Sequence, residues 1–273
     1  MKKILFLLAF LTSLLCCAED AEFVSLSPGL TELICHLGLG GRLIGRSSVC
    51  DFPPEVRSVP VAGDYAKANP EWLAVQKRKH PGLILVADEL YPPETEAVLR
   101  KLGIPLKKMP CRTIEDYCAW VRALGDMTSS GEAADRELER IRAAREKIRR
   151  DRPARGKSTV WILGTDPMVI AGPGSLPDSI LKEIGAVNAA GHQEKPYFRA
   201  SLEWLLLTDP DRIILLKRHG SDTSGSLTRH PVWNRLKAVR NGCVIRDISE
   251  DELLRPGPRL FDGMRKLQDA VGR

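Results

Sequence analysis

Four carboxylates, Asp51, Asp64, Asp88 and Glu89, fall in short loops of the first half of the chain. They are the residue type that metal binding or acid/base chemistry would draw on. No partner motif accompanies them. The chain has no G-x-S-x-G elbow, no H-E-x-x-H, no P-loop and no strand-following G-x-G-x-x-G. His36 falls inside a helix, and His192, His219 and His230 lack a paired spacing, so each reads as a surface or packing histidine before it reads as an iron ligand. Arg112, Arg199 and Arg218 follow expected strand ends and could meet an anionic ligand; their plainer reading is solvated surface. Loop carboxylates without a partner are hydrated groups. The expectation is a protein that binds without reacting, with a two-domain enzyme as the lesser alternative.

The cysteines and the N-terminus place that binding in a compartment. Met1 to Ala18 runs Lys2 and Lys3, then apolar Ile4 to Leu15, then Cys16, Cys17 and Ala18. This is the charged, apolar, small-residue order of a secretory signal, and it is too short for a spanning helix. Cleavage after Ala18 and retention of Cys17 as a lipid-modified N-terminus both fit; Cys16, standing where a small residue is usual, favours the first. The seven cysteines then reduce to Cys35, Cys50, Cys111, Cys118 and Cys243, which allow at most two bridges in an oxidising compartment and leave the pairing open. No C-x-x-C and no His/Cys spacing reads as a zinc site.

The elements that must position these residues come in two similar runs. At 273 residues, with 28% charged and 43% hydrophobic residues, the chain has room for two α/β domains and is neither disordered nor multi-spanning. The net charge of +6 comes with no basic face interleaved with aromatics, so nucleic-acid binding is not expected. Residues 129–152 read as one long helix. Ala134, Leu138, Ile141, Ala144 and Ile148 form a single stripe, Ser129 with Glu132 forms a capping box, and Glu132–Arg136 is a favourable i,i+4 pair. About twenty helical residues make a rod of about 30 Å. On its N-terminal side, strand Glu22–Ser27 leads through Ser27 and Pro28 into a helix, which puts free backbone N–H groups at the strand's carboxyl end. The string GLGLGG follows that helix and is its stop signal; it is not a dinucleotide loop. Asp51 and Phe52 ride on a loop stiffened by Pro53 and Pro54, Tyr65 follows a strand at Val61, and GLILVA at 82–87 is a buried parallel strand with Asp88 just past its end. The second run repeats the alternation: strand Ser158–Leu163, turn, extended Val169–Ala171, helix Pro177–Ile184, polar loop Gly191–Arg199, strand Arg212–Leu216, short helix Trp233–Ala238 and closing helix Pro258–Val271. The fold class expected is α/β. Two Rossmann-like lobes, at 22–128 and 157–273, are joined by the 129–152 helix after a signal at 1–18, with a crevice between the loop ends of the lobes.

The stretch FVSLSPGLTELICHLGLGGRLIGRSSVCDFPPE, with GLILVADE, KLGIP, GTDPMVIAGPGSLPDSILKEIGAVNAA and LLRPGPRL, resembles the helical-backbone (class III) family of periplasmic solute-binding proteins. Its members carry vitamin B12, ferric siderophores or haem, and the motifs are most like those of its vitamin B12-binding members. The resemblance spans the chain after the signal. It implies a monomeric, non-enzymatic component of an ABC importer, with a corrinoid held in the inter-lobe cleft and delivered to the permease; a ferric siderophore or haem is the alternative cargo. Carried over by position, Pro28, Val49, Phe52, Tyr65, Ala87 with Asp88, Met168 with Val169, and Glu252 would face the ligand. Arg112 would serve an anionic ligand. Val49, Ala87, Lys108 and Glu252 stand where the vitamin B12 binders present aromatics, and Tyr65 keeps its ring. Glu94, and Glu252 among the acidic residues 250–252, would meet arginines of the permease. The resemblance implies no catalytic residue and no metal held by the protein.

Overall fold

A computed structural model describes residues 21–65, 67–88, 93–151, 153–216 and 225–273. The expected signal at 1–18, and Glu89, Arg218 and His219, lie outside the described residues. The chain divides into two compact units: the first takes residues up to Cys111 together with Asp116–Arg140, the second Arg112–Glu115 with Ile141–Arg273.

The first unit is built on strands β1 (Glu22–Ser25), β2 (Leu43–Ser47), β3 (Val61–Asp64), β4 (Lys67–Ala68), β5 (Leu83–Ala87) and β6 (Leu106–Lys108), in the order β4-β3-β2-β1-β5-β6. All neighbours are parallel except β3 and β4. Helices α1 (Pro28–His36), α2 (Pro70–Lys79), α3 (Pro93–Lys101) and α4 (Ile114–Asp126) accompany it. Strand β1 lies inside the sheet, and its middle residues Phe23 and Val24, on opposite faces, are both apolar and wholly buried. Val24, Leu83, Leu85 and Ala87 pack with Leu73 and Leu99 in one core. The chain leaves β1 toward β2 and β3, then returns to the other side of β1 as β5. That reversal puts the switch point of the sheet between the carboxyl ends of β1 and β5, where open α/β sheets hold ligands.

The second unit has strands β7 (Ser158–Thr165), β8 (Met168–Ala171), β9 (Val187–Asn188), β10 (Tyr197–Arg199), β11 (Arg212–Ile214) and β12 (Val244–Ile245). Their order is β10-β8-β7-β11-β12, with β9 also paired to β7. The segment expected as a polar loop up to Arg199 thus ends in a strand. Tyr197–Arg199 pairs antiparallel with Val169–Ala171, and Phe198 lies edge-on to Trp204 with ring centroids 5.3 Å apart; the surrounding Lys, Glu and Pro hide this short apolar anchor. The single helix expected over Trp233–Ala238 is a 3-10 turn, Trp233–Arg235, and a separate helix, Lys237–Arg240, because buried Leu236 between them is extended.

The long helix, numbered α5, runs from Gly131 to Arg150 without a break. Its first residue is preceded by Ser130, whose carbonyl accepts from the Ala134 N–H at 3.0 Å. The expected cap at Ser129 is therefore displaced by one residue: residues 127–129 still belong to the turn that closes α4. The stripe is as read, with Ala134, Ile141 and Ile148 buried and Leu138 and Ala144 half-buried. Glu132 and Arg136 pair at 3.6 Å on the open face. The stripe also contains a charge. Glu137 is 3% exposed and accepts from Arg140 Nε and Nη2 at 2.7 Å each and from His36 Nε2 at 2.8 Å, all within the first unit. In the second unit, Arg145 and Arg149 of the same helix donate to Glu183, 7% exposed, on helix α6 (Leu176–Ile184). Burial works to raise both carboxyls, and the hydrogen bonds from their arginine and histidine partners outweigh it, holding both below the usual carboxylate range.

Candidate functional site

The carboxyl edge of the first sheet gathers the side chains singled out in the first half of the sequence. Pro28 opens α1 directly after β1 and is buried, its ring preset for the first helical position. Ser27 sits in the cap position without a side-chain cap bond. After β2 comes a loop with Val49 and Phe52, each 39% exposed, and after β3 comes Tyr65 at 41%. Three large side chains are thus exposed on consecutive loops at the carboxyl ends of the strands, the end where open α/β sheets bind ligands. Asp88 follows β5 and accepts the Tyr65 hydroxyl at 2.5 Å, which ties the loop of β3 to that of β5. Asp64 accepts the Ser48 hydroxyl at 2.6 Å and ties the loops of β2 and β3 in the same way. Both carboxylates are thus engaged by neutral donors. Among the described residues no group of three or more His, Cys, Asp or Glu gathers as a metal site.

The sequence reading overlooked the residue that holds this edge in shape. Arg46, at 9% exposure within β2, donates Nη1 to the carbonyls of Ser47 and Cys50 at 3.1 Å, Nε to Val59 at 3.1 Å and Nη2 to Arg57 at 3.2 Å. A planar guanidinium with five donors can reach four carbonyls at once, so one side chain closes the whole segment between β2 and β3. The available signal was a charge interrupting the strand LIGRS. Gly63 fixes the other loop. A Cβ there would lie 2.1 Å from the Lys67 carbonyl oxygen, at φ 155°, so only glycine lets β4 fold back against β3 beneath Tyr65. Below the edge, the buried Cys50 thiol lies 3.1 Å from Thr31 Oγ1 and 3.0 Å from Ser47 Oγ.

The remaining candidates belong elsewhere. Met168 begins β8 and is buried in the core of the second unit with Val160, Ile162 and Ile170, so its side chain is packing and offers no surface to a ligand. Val169 beside it is half-buried and faces Arg199 across the β8–β10 pair. Arg199 is the last residue of a strand and does not follow one. Arg112 is exposed beyond β6 and packs with the second unit. Glu252 sits on the short helix Glu250–Leu254, where Lys266 Nζ reaches both of its oxygens at 2.8 and 2.7 Å. Its charge is therefore largely met on its own surface. Glu94 lies exposed in the first turn of α3, where a carboxylate favours the helix dipole. Lys108, at the end of β6, is paired with Glu96.

The comparisons agree with this architecture. The Periplasmic binding protein family profile matches residues 23–250. A vitamin B12-binding protein of Vibrio cholerae is 27% identical over 251 residues, covering 90% of this chain and 87% of its own. The crystal structure of the Vibrio cholerae periplasmic vitamin B12-binding protein BtuF superposes with a TM-score of 0.77 at 23% identity, covering 92% of this chain and 96% of its own. The periplasmic haem-binding protein HutB of Vibrio cholerae gives 0.78 at 20%, covering 93% and 99%. Two α/β units, the edge of exposed apolar loops and a profile match across most of the chain lead to one conclusion: this protein belongs to the periplasmic binding protein family.

Proposed function

We propose that the protein captures a corrinoid of the vitamin B12 type outside the cytoplasmic membrane and hands it unchanged to the membrane subunits of an ABC importer. The observation that carries this reading is the exposed trio Val49, Phe52 and Tyr65 at the carboxyl edge of the first sheet. A corrin is broad, apolar in its ring and rimmed by uncharged amides, which suits apolar walls flanked by hydrogen-bond acceptors such as Asp64 and Asp88. The vitamin B12-binding relatives support the same ligand. Export follows from Met1–Ala18, with release after Ala18 or anchorage through Cys17 as its two forms. No step of chemistry is required: the ligand enters and leaves as itself.

Two observations favour a second cargo, haem or a ferric siderophore. Arg112 and Arg199 are exposed cations suited to carboxylates, and the haem-binding relative shares the fold. Titration of the purified protein with cyanocobalamin, cobinamide, haemin and ferric siderophores separates the readings. Saturable binding of the corrinoids supports the first; saturation by haemin or a siderophore, with no corrinoid binding, rejects it. For delivery, Glu94 is the better placed docking carboxylate, because Glu252 is already held by Lys266. Glu94→Ala should leave ligand affinity unchanged and lower transport. A loss of binding in solution would remove Glu94 from the docking role.

A further inference from the structure

The positive charge of the chain is concentrated in one segment. Residues 145–157, REKIRRDRPARGK, hold seven Arg and Lys against Glu146 and Asp151, a net charge of +5. The whole chain carries +6, and Lys2 and Lys3 of the expected signal supply two of those charges. Outside the segment, the chain after residue 18 is therefore within one charge of neutral. Some of the cations are committed inside the second unit: Arg145 pairs with Glu183 and Glu115, and Arg149 with Glu183. Lys147, Arg150 and Arg155 stand exposed, and Lys157 is half-buried. Cations in the last turn of a helix oppose the negative end of its dipole, and that use accounts for Lys147 and Arg150 on α5. It does not account for Arg155 and Lys157, which lie beyond the helix.

The fold holds these cations on an anchored turn. The Ile148 carbonyl accepts from Gln268 Nε2 of the closing helix Leu260–Gly272 at 2.6 Å, and Ala154 is wholly buried. Gly156, at a left-handed φ of 75°, turns the chain toward β7, and its N–H donates to the Gly185 carbonyl at 3.1 Å. On the outer side Arg149, Arg150 and Arg155 line, with Asp151 and Pro153, a surface hollow of about 530 Å³. Guanidinium forks match phosphate oxygens in pairs. The segment has no aromatic residue, so it offers nothing on which a base or a porphyrin could stack. Its charge also runs past the hollow on both sides, from Lys147 to Lys157, which suits a field of phosphates better than a single one. We propose that residues 145–157 dock the exported protein on the anionic phospholipid surface of a membrane, with lipid phosphates in the hollow of Arg150 and Arg155. Summed charge draws such a segment to the surface, and salt releases it. The proposal rests on export and is independent of the cargo.

The test is co-sedimentation of the purified mature protein with vesicles of equal parts phosphatidylglycerol and phosphatidylcholine, beside vesicles of phosphatidylcholine alone. Binding to the anionic vesicles only, falling as salt is raised, is expected. One Lys or Arg near such a surface is worth about fivefold in partition, so Arg150→Ser combined with Arg155→Ser should weaken binding about 25-fold. Arg100→Ser combined with Lys101→Ser takes the same charge from the exposed last turn of α3 and should change binding less than about twofold. Glycerol phosphate at the phosphate concentration of the lipid should not displace the protein. No excess binding to the anionic vesicles would overturn the docking and leave the segment to an acidic protein partner. Binding that survives the Arg150 and Arg155 substitutions, or that falls equally with those at Arg100 and Lys101, would overturn the assignment to residues 145–157. Displacement by glycerol phosphate would make the hollow a site for one phosphate and overturn the membrane as its occupant. None of these arms contains a cargo, so their failure leaves the corrinoid reading to its own test.

Discussion

Arg46→Met removes a guanidinium and keeps most of its aliphatic length, and so isolates the four hydrogen bonds that close the loop between β2 and β3. Two of the acceptors, the carbonyls of Ser47 and Cys50, are in buried bonds, and two, those of Val59 and Arg57, are partly open. The open pair can turn to water at little cost. Each buried carbonyl left without a donor costs about 1–3 kcal/mol, so the pair accounts for about 2–6 kcal/mol. Water admitted to the vacated space brings this toward about 3 kcal/mol. For an α/β unit of this size that is a fall of about 10 °C in melting temperature. Arg46→Lys keeps the charge but cannot span four acceptors, and should fall between the two. Circular dichroism melts, read beside the rate of tryptic cleavage after Arg57, measure both consequences. A methionine variant that melts within about 1 °C of wild type and is cleaved no faster would refute the reasoning, because the loop would then be held by something other than Arg46.

Other perturbations follow from the same geometry. Glu183→Ala removes the carboxylate of Arg149 and leaves Arg145 with Glu115, and should cost about 1–3 kcal/mol, below a fully buried pair because Arg149 is half open to solvent and Arg145 keeps a partner; a chemical denaturation midpoint equal to wild type would rule this out. Glu137 and Glu183 both have folded values held below their unfolded ones, so their contribution is complete above about pH 4.3 and is lost as the pH falls through the folded values. Melting temperature should accordingly stay level from neutral pH down to about 5 and drop below about 4, and a rise on acidification in that range would contradict the assignment. Phe52→Ala removes an exposed ring from the ligand edge and should weaken corrinoid binding about 5- to 30-fold with little change in melting temperature. Equal affinity in a calorimetric titration would take Phe52 out of the site.

Alternation of strand and helix was legible because burial on both sheet faces makes β5 apolar without interruption, and the stop after α1 because Gly38 takes a left-handed φ of 78°. The exposed trio was named from motif position. Periodicity could not have found it, since Val49, Phe52 and Tyr65 lie in loops that carry no period. Glu137 and Glu183 stayed hidden because each takes partners far along the chain, such as His36 101 residues from Glu137, and spacing alone shows no such partner; Arg46 stayed hidden because its acceptors are backbone carbonyls, which no residue type marks. Glu137 still left a trace: it falls three residues after Ala134 and four before Ile141, inside the apolar stripe. The short strand at Tyr197–Arg199 was missed because its pairing with β8, rather than any propensity of its own, makes it a strand.

Calorimetric titration of the purified protein with cyanocobalamin, beside haemin and a ferric siderophore, tests the central claim most directly. The account predicts saturable one-to-one binding of the corrinoid that weakens when Phe52 is truncated. Heat no greater than dilution for cyanocobalamin, alongside saturation by haemin or the siderophore, would contradict it.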